Sequence, residues 1–428
     1  TDHSAAVEAV RAVGGVDISL YGGRIAGLSG PNGAGKTTLL NLISRVEKPT
    51  SGSIHFLDHD IATIAPHALA ERGGFLGANT GMRMMAFSLH LMAADWPKVA
   101  AYARQARAFA ESLGPETERK WFRFAHAMAP FAEFNHAYYC GDLQTAEARY
   151  GQWQAFQAEG DYDQRISTTP GFCNGAQLAC RLGRPDVARE RMAMARAWAT
   201  QVDSAYEVMF AEALDALLQV SLGDADRAET VAAEAVRGCE EKGFPQVAGW
   251  ARAALGWARA QRGAPREGVG MIQQALADLE ALQTRVSMPL FLTLLAEAQA
   301  MDGSVKAAFA SLQKALAANP DERVYRPYVL LCRGELNARL RRDIEAEADF
   351  LAAIDEADEM GAAAYALRAT SGLARLLCER GEADRARALL APRLEAVTPG
   401  AETQDARDAT SLLRSLGRPP PAPGHDGP

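Results

Sequence analysis

The amino-acid sequence predicts a mainly α chain, a long helical-repeat solenoid preceded by a small, incomplete α/β segment. Three observations carry that expectation. Aromatic residues make up 7% of the 428 residues while alanine is abundant, and β-branched residues thin out beyond about residue 70, the balance expected where helices pack closely. From Gly73 onward apolar residues recur three and four apart, the period of an amphipathic helix. Glycines interrupt that pattern at nearly constant spacing, which marks an internal repeat.

The elements follow in chain order. Residues 16–20 and 24–29 are short β-type runs around the turn Tyr21-Gly22-Gly23, and 53–57 is another. The 24–29 strand leads into Gly30-Pro31-Asn32-Gly33-Ala34-Gly35-Lys36-Thr37, a complete G-x-x-x-x-G-K-[ST] pattern, and a helix from 36 to about 45 leaves it. In that context the pattern is a phosphate-binding P-loop. Its glycines let backbone N–H groups wrap nucleotide phosphates, Lys36 reaches the β and γ oxygens, and the Thr37 hydroxyl can ligate Mg²⁺. Gly30 to Gly35 with Lys36, Thr37 and Thr38 are therefore the candidate nucleotide contacts. Thr37 is the candidate metal ligand, and ATP with Mg²⁺ is the expected cofactor.

Beyond this segment Gly141, Gly183, Gly223, Gly263, Gly303 and Gly381 fall at spacings close to 40 residues or its double. Five residues after each stands a small residue: Ala146, Ala188, Ala228, Gly268, Ala308 and Ala386. Four further on there is usually a larger apolar one such as Tyr150, Met192, Ile272, Leu312 or Leu390. A helix ended by a left-handed glycine, then a second helix whose small residue admits close backbone approach, is a helical hairpin. One unit has Arg341 in the glycine position but keeps Ala346 and Phe350, and an early unit lies around Asp95 and Ala100. About eight hairpins are expected. A single hairpin cannot bury its apolar face, so the units stack into a superhelix with an exposed concave groove. This is an α-solenoid of tetratricopeptide type, with a protein partner expected on its concave face. The expected division is 1–73 for the partial P-loop segment, 77–416 for the solenoid and 417–428, rich in Pro and Gly, as a disordered tail.

Two resemblances bear on these halves. Val10-Arg11-Ala12-Val13, Val16-Asp17-Ile18-Ser19-Leu20, the P-loop, Pro49-Thr50-Ser51-Gly52 and Pro66-His67 resemble the opening of an ABC transporter ATPase of the branched-chain amino acid uptake type, over about residues 7 to 73. The resemblance implies ATP binding and, if it extends to function, a membrane-transporter partner. Its Q-loop glutamine, LSGGQ signature, Walker B carboxylates and switch histidine are not found downstream, and Val7 stands where an aromatic ring would stack on adenine. Hydrolysis by this chain alone is accordingly not expected, since no carboxylate is supplied to hold Mg²⁺ and position water. The stretches Leu255-Gly256-Trp257-Ala258, Leu294-Leu295-Ala296-Glu297-Ala298, Arg333-Gly334-Glu335-Leu336 and the run from Leu367 to Leu376 resemble the repeat region of bacterial proteins that join a class III nucleotide cyclase to a signalling ATPase. Neither the cyclase nor that family's ATPase domain is present, so cyclase activity is not implied.

Other features read as structural. Ala353-Ile354-Asp355-Glu356-Ala357-Asp358 looks like a Walker B strand, but its register places Phe350, Ile354 and Ala357 on the apolar stripe of a helix. The aromatic group Trp121, Phe122, Phe124, Phe131, Phe134, Tyr138 and Tyr139 is expected in the core rather than as a binding hot spot. His90, His126 and His136 show no metal-ligand spacing. The cysteines 140, 173, 180, 239, 332 and 378 contain no CxxC pair and read as small core residues. A formal net charge of −8 with interspersed signs excludes a nucleic-acid partner. The absence of a signal pattern and of a long apolar run makes a cytoplasmic protein the expectation.

Overall fold

The computed structural model describes residues 39, 42, 51–56, 59–60, 87–112, 120–158, 168–397 and 403–416. Within the N-terminal part, Leu39 and Leu42 are helical and half-buried, where a helix is predicted after the P-loop. Strand β1 (His55–Phe56) lies within the predicted 53–57 run and pairs antiparallel with β2 (His59–Asp60), His55 opposite Asp60.

The elements described after residue 86 are helical, arranged as hairpins with one 3-10 turn and a single closing helix. Residues 87–92 are helical and lead into α1 (Trp96–Ser112). There follow α2 (Lys120–Cys140) and α3 (Leu143–Ala158), α4 (Thr168–Arg181) and α5 (Pro185–Gln201), α6 (Ala205–Leu222) and α7 (Ala225–Lys242). The next pairs are α8 (Pro245–Gln261) and α9 (Pro265–Ala281), then α10 (Met288–Met301) and α11 (Val305–Ala318). A 3-10 turn (Arg323–Tyr325) precedes α12 (Arg326–Arg339) and α13 (Asp343–Met360). The last pair is α14 (Ala363–Glu379) and α15 (Ala383–Ala396), and α16 (Gln404–Leu416) packs against both.

Each hairpin turn is built alike. Gly141, Gly183, Gly223, Gly263, Gly303 and Gly381 all have positive φ, and two residues that are not glycine, Ala94 and Arg341, adopt φ 54° and 58° in the same place. The following N–H reaches back to the carbonyl five residues earlier, as in Arg184 to Ala179, Ala264 to Arg259 and Arg342 to Asn337. That bond satisfies an otherwise orphaned helix-end carbonyl. The junctions between hairpins use the same device, with positive φ at Asp203, Gly243, Gln283 and Gly361. Two of these are not glycine, so the second series of turns does not stand out in the sequence.

The predicted close-approach residues are buried except Ala100 of the early unit, which is half-buried: there the left-handed residue is Ala94 and the fully buried residue five positions on is Val99. Ala146, Ala188, Ala228, Ala308, Ala346 and Ala386 are completely covered. Gly268 lies so near α8 that an added Cβ would stand 2.3 Å from the Gly256 carbonyl oxygen. Gly175 likewise accepts the Tyr150 ring and Gly334 and Gly372 the Phe350 ring. Phe131, Phe134, Tyr138 and Tyr139 are core residues, as the sequence suggests, whereas the side chains of Trp121, Phe122 and Phe124 lie outside the described residues.

From α4 on, the first helices of successive hairpins pack on one another, whereas the second helices mainly touch their own hairpin and the helix that follows. The first helices therefore form the inner wall. The superhelix then meets itself. The Arg285 and Val286 N–H groups donate to the Met92 carbonyl at 2.7 and 3.0 Å. Gly141 abuts Met360 and Arg323, Gly183 abuts Ala363 and Val397, and Gly223 abuts Gln404. Each contact joins turns between four and five hairpins apart, so consecutive superhelical turns are sealed along one seam.

Candidate functional site: a charged cavity on the inner wall

The predicted nucleotide contacts, Gly30 through Thr38, lie outside the described residues, as does the predicted tail 417–428. The described site is a cavity of about 470 Å³ between α10, α12 and α14. Glu297, Cys332, Glu335, Arg339, Arg368 and Arg375 supply its polar groups, and Met301, Leu312, Leu336 and Phe350 its apolar floor.

Glu297 is its hub. One carboxylate oxygen accepts from Arg368 Nη2 at 2.8 Å and from the Cys332 thiol at 3.3 Å, and the other from Trp257 Nε1 at 2.7 Å. Burial alone pushes this carboxyl up, but the Arg368 charge and the donated hydrogen bonds outweigh it and hold the group below its ordinary value. Glu335 stands 3.8 Å from Arg368 and Asp405 3.9 Å. Burial raises both their carboxyls against the pull of that single guanidinium. Arg368 also lies over the Tyr328 ring, 5.1 Å from its centre, and Tyr328 stacks on Tyr365 at 5.9 Å with planes 7° apart. Such cation–π placement holds the guanidinium rigidly.

The ligand atoms of Glu297, Cys332 and Glu335 lie within 4.8 Å of one another, close enough to share a cation. The arginine already fills that role. Burial also pushes the Cys332 thiol well up, so it stays protonated and donates to Glu297 rather than binding metal as thiolate. The chemistry offered is recognition: buried, mutually neutralising charges at the back and more open ones at the mouth. Arg375 is half-exposed and 3.9 Å from Asp408, Arg341 is paired with Glu379, and Arg339 projects without an ion-pair partner among the described residues.

A repeat register was available to find these residues. Trp257, Glu297, Glu335 and Arg375 each stand six residues before the left-handed turn residue of their hairpin, Gly263, Gly303, Arg341 and Gly381. The register alone does not reveal that Arg368, from a later hairpin, closes the cluster. The Walker B look-alike is helical: Asp355 to Asp358 lie in α13, Ala353 and Ala357 are buried, and Asp358 forms a two-toothed pair with Arg393 at 2.5 Å. The histidines are side-chain neighbours rather than ligands. His90 sits 3.6 Å from Asp95 and stacks on Tyr102, and His136 contacts Cys140.

Fold and cavity together define a helical-repeat α-solenoid with a charged cavity on its inner wall, joined to a segment bearing a P-loop motif. Residues 13–125 match the ABC transporter family model, so the match begins before the P-loop and reaches into α2. A hemin import ATP-binding protein of Rhodopseudomonas palustris (strain BisB5) is 37% identical over 79 residues, which cover 18% of this chain and 30% of that protein. The chain thus spans under a third of the length of this curated relative. Among solved structures, a Rap protein complexed with competence and sporulation factor aligns with TM-score 0.52 at 10% identity, covering 79% of this chain and 97% of that one. That likeness shows the fold. A signal transduction ATPase with a tetratricopeptide repeat sensor from Pyrococcus horikoshii aligns with TM-score 0.39 at 13% identity, over 80% of this chain and 54% of that one. An N-terminal part similar to ABC ATP-binding proteins therefore precedes a tetratricopeptide-like solenoid. Among the described residues no helix is long and apolar enough to cross a membrane.

Proposed function

We propose that this chain is a protein-interaction scaffold of tetratricopeptide type, with a partner segment held on the inner wall and Mg-ATP held by the P-loop without turnover by this chain alone. In this reading 1–73 is the nucleotide-binding segment, 77–416 the solenoid and 417–428 a tail. The scaffold works in the cytoplasm and does not bind nucleic acid. The observation that carries it is the cavity on the inner wall, where Glu297 and Arg368 neutralise each other while Arg339 and Arg375 remain open to a ligand. Buried, satisfied charges fix the shape of such a site, and the open ones select its occupant. The Rap neighbour, captured with its bound factor, agrees with a ligand-binding use of this fold. For the P-loop the support is the ABC transporter match across Gly30 to Thr38.

Two measurements test the proposal. Titration of the full chain with a fluorescent ATP analogue and Mg²⁺ should show saturable binding that Lys36→Ala abolishes, with no phosphate release by either protein. Affinity capture with wild type and with Arg339→Glu/Arg375→Glu should lose the partner in the double variant; a partner retained by both would place recognition elsewhere.

The ABC transporter match also supports a second reading, an ATP-binding subunit of a transporter, for which the branched-chain amino acid type rests on the sequence resemblance alone. Phosphate release that is stimulated by a membrane partner and lost in Lys36→Ala would favour that reading over the scaffold.

A further inference from the structure

Where the two superhelical turns meet, the seam buries a positive charge. Arg181, the last residue of α4, is 3% exposed. Its guanidinium lies 4.8 Å from the centre of the Tyr365 ring and 5.9 Å from that of Tyr325, both on the following superhelical turn. No carboxylate forms an ion pair with it among the described residues, and its Nε–H has no hydrogen-bond partner. The Tyr365 hydroxyl is also buried without a partner, and the Tyr138 hydroxyl has only the Tyr325 hydroxyl nearby, outside good hydrogen-bond geometry; both belong, with Tyr325 and Cys180, to the groups that bear most strongly on Arg181.

The neighbouring acids among the described residues do not neutralise it. Glu322, buried on the 3-10 side of the seam, is occupied by the Ser287 N–H at 2.7 Å and the Asn319 amide at 2.6 Å. Burial pushes its carboxyl up to about 8, so at neutral pH it is mostly uncharged. Asp405, which faces Cys180 from α16, is drawn to Arg368. Burial keeps the Cys180 thiol and the tyrosine hydroxyls protonated. Among the described residues, what remains is one guanidinium charge and the unmet donors on Arg181 Nε and the tyrosine hydroxyls. A water molecule could accept from those donors but would leave the charge uncompensated, a costly arrangement in a buried site.

We propose that a small monovalent anion of chloride size binds between Arg181, Tyr138 and Tyr365 and clamps successive turns of the superhelix together. Both sides of the seam contribute donors, Arg181 and Tyr138 from one turn and Tyr365 from the next. Occupancy therefore favours the closed superhelix by mass action. Because Tyr365 also stacks on Tyr328 beneath Arg368, the clamp supports the wall of the cavity.

The test uses the full chain. Thermal unfolding is followed while chloride replaces gluconate, too large for the site, at constant ionic strength. The expected result is a saturable rise of the midpoint with chloride that is absent in Arg181→Gln. Tyr138→Phe and Tyr365→Phe, which keep the ring packing, should each raise the half-saturating chloride concentration several-fold, and they decide the matter if Arg181→Gln does not fold. Crystals grown in bromide should show an anomalous peak within hydrogen-bond distance of the Arg181 guanidinium. A midpoint indifferent to the chloride-for-gluconate exchange, or an unaltered response in the tyrosine variants, would overturn the proposal in favour of water alone.

Discussion

Replacing Gly268 by alanine should destabilise the solenoid, whereas the same replacement two residues on, at Gly270, should stabilise it. Both lie in α9, so both gain about 1 kcal/mol in helix propensity. They differ in what the new methyl meets. At Gly268 it would stand 2.3 Å from the Gly256 carbonyl oxygen, 3.0 Å from Ala260 Cβ and 3.1 Å from Ala260 N. These are backbone and near-backbone atoms that no rotamer change can clear, so α8 and α9 must part by roughly 1 Å. A gap of that size forfeits a quarter to a half of the dispersion contact along the interface, here including Leu279 beside Gly249. Overpacking of this kind costs about 3 kcal/mol, leaving Gly268→Ala about 2 kcal/mol less stable after the propensity gain. At Gly270 the methyl meets nothing within 4 Å, and the gain stands alone. Repeat arrays can open locally, so urea midpoints should be paired with amide hydrogen exchange across α8 and α9. Equal behaviour of the two variants, or a Gly268→Ala protein as stable as wild type, would refute the close-approach account of the repeat.

Three further outcomes follow from the same structure. The Glu322 carboxyl rises from an ordinary 4.5 to about 8 on folding, so the folded state holds the proton more tightly. Stability should fall as pH climbs from about 4.5 to 8 and level off above, and Glu322→Gln should flatten that slope in pH-dependent melting. Glu297 is shifted the other way by Arg368; its contribution is present above the ordinary carboxylate value and lost as pH falls through the lowered one. Arg368→Gln should abolish that acid-side loss and cost about 2 kcal/mol at neutral pH, since Glu297 stays buried without its cation, as read by urea denaturation at pH 7 and pH 4. Asp224 caps α7 by accepting from the Arg227 N–H at 3.0 Å, so Asp224→Ala should lower stability by about 1 kcal/mol, with faster exchange confined to the first turn of α7.

The sequence exposes most of the solenoid because its punctuation is steric. A left-handed residue after the first helix and a small residue five positions on are each forced by backbone geometry, and glycine and alanine announce both. Arg341 shows the limit: Schellman-type bonding holds it at φ 58°, and only its 40-residue register and the retained Ala346 and Phe350 betray it. Asp203 and Gln283 do the same between hairpins with no glycine to mark them. The seam was illegible for another reason. Whether a superhelix seals depends on the small rotation that each hairpin adds, and no local motif encodes the sum. Met92 meeting Arg285, or Arg181 meeting Tyr365, follows only from the accumulated twist.

The cavity stands between these cases, and the difference bears on how such proteins acquire specificity. Positions six before each turn residue face the inner wall because the first helices pack on one another. A chain can vary Trp257, Glu297, Glu335 and Arg375 without disturbing the turns or the close-approach sites. Buried charges on that wall must still be matched, and the match here comes from Arg368, two hairpins beyond Glu297. The pairing works because consecutive first helices form a continuous surface on which a long guanidinium can bridge neighbours. In the scaffold reading proposed above, recognition and solenoid curvature are tied together: moving α14 relative to α10 would separate Glu297 from Arg368 and leave a buried carboxylate without its cation. A ligand that prefers one spacing of these helices must therefore also bias the curvature of the superhelix.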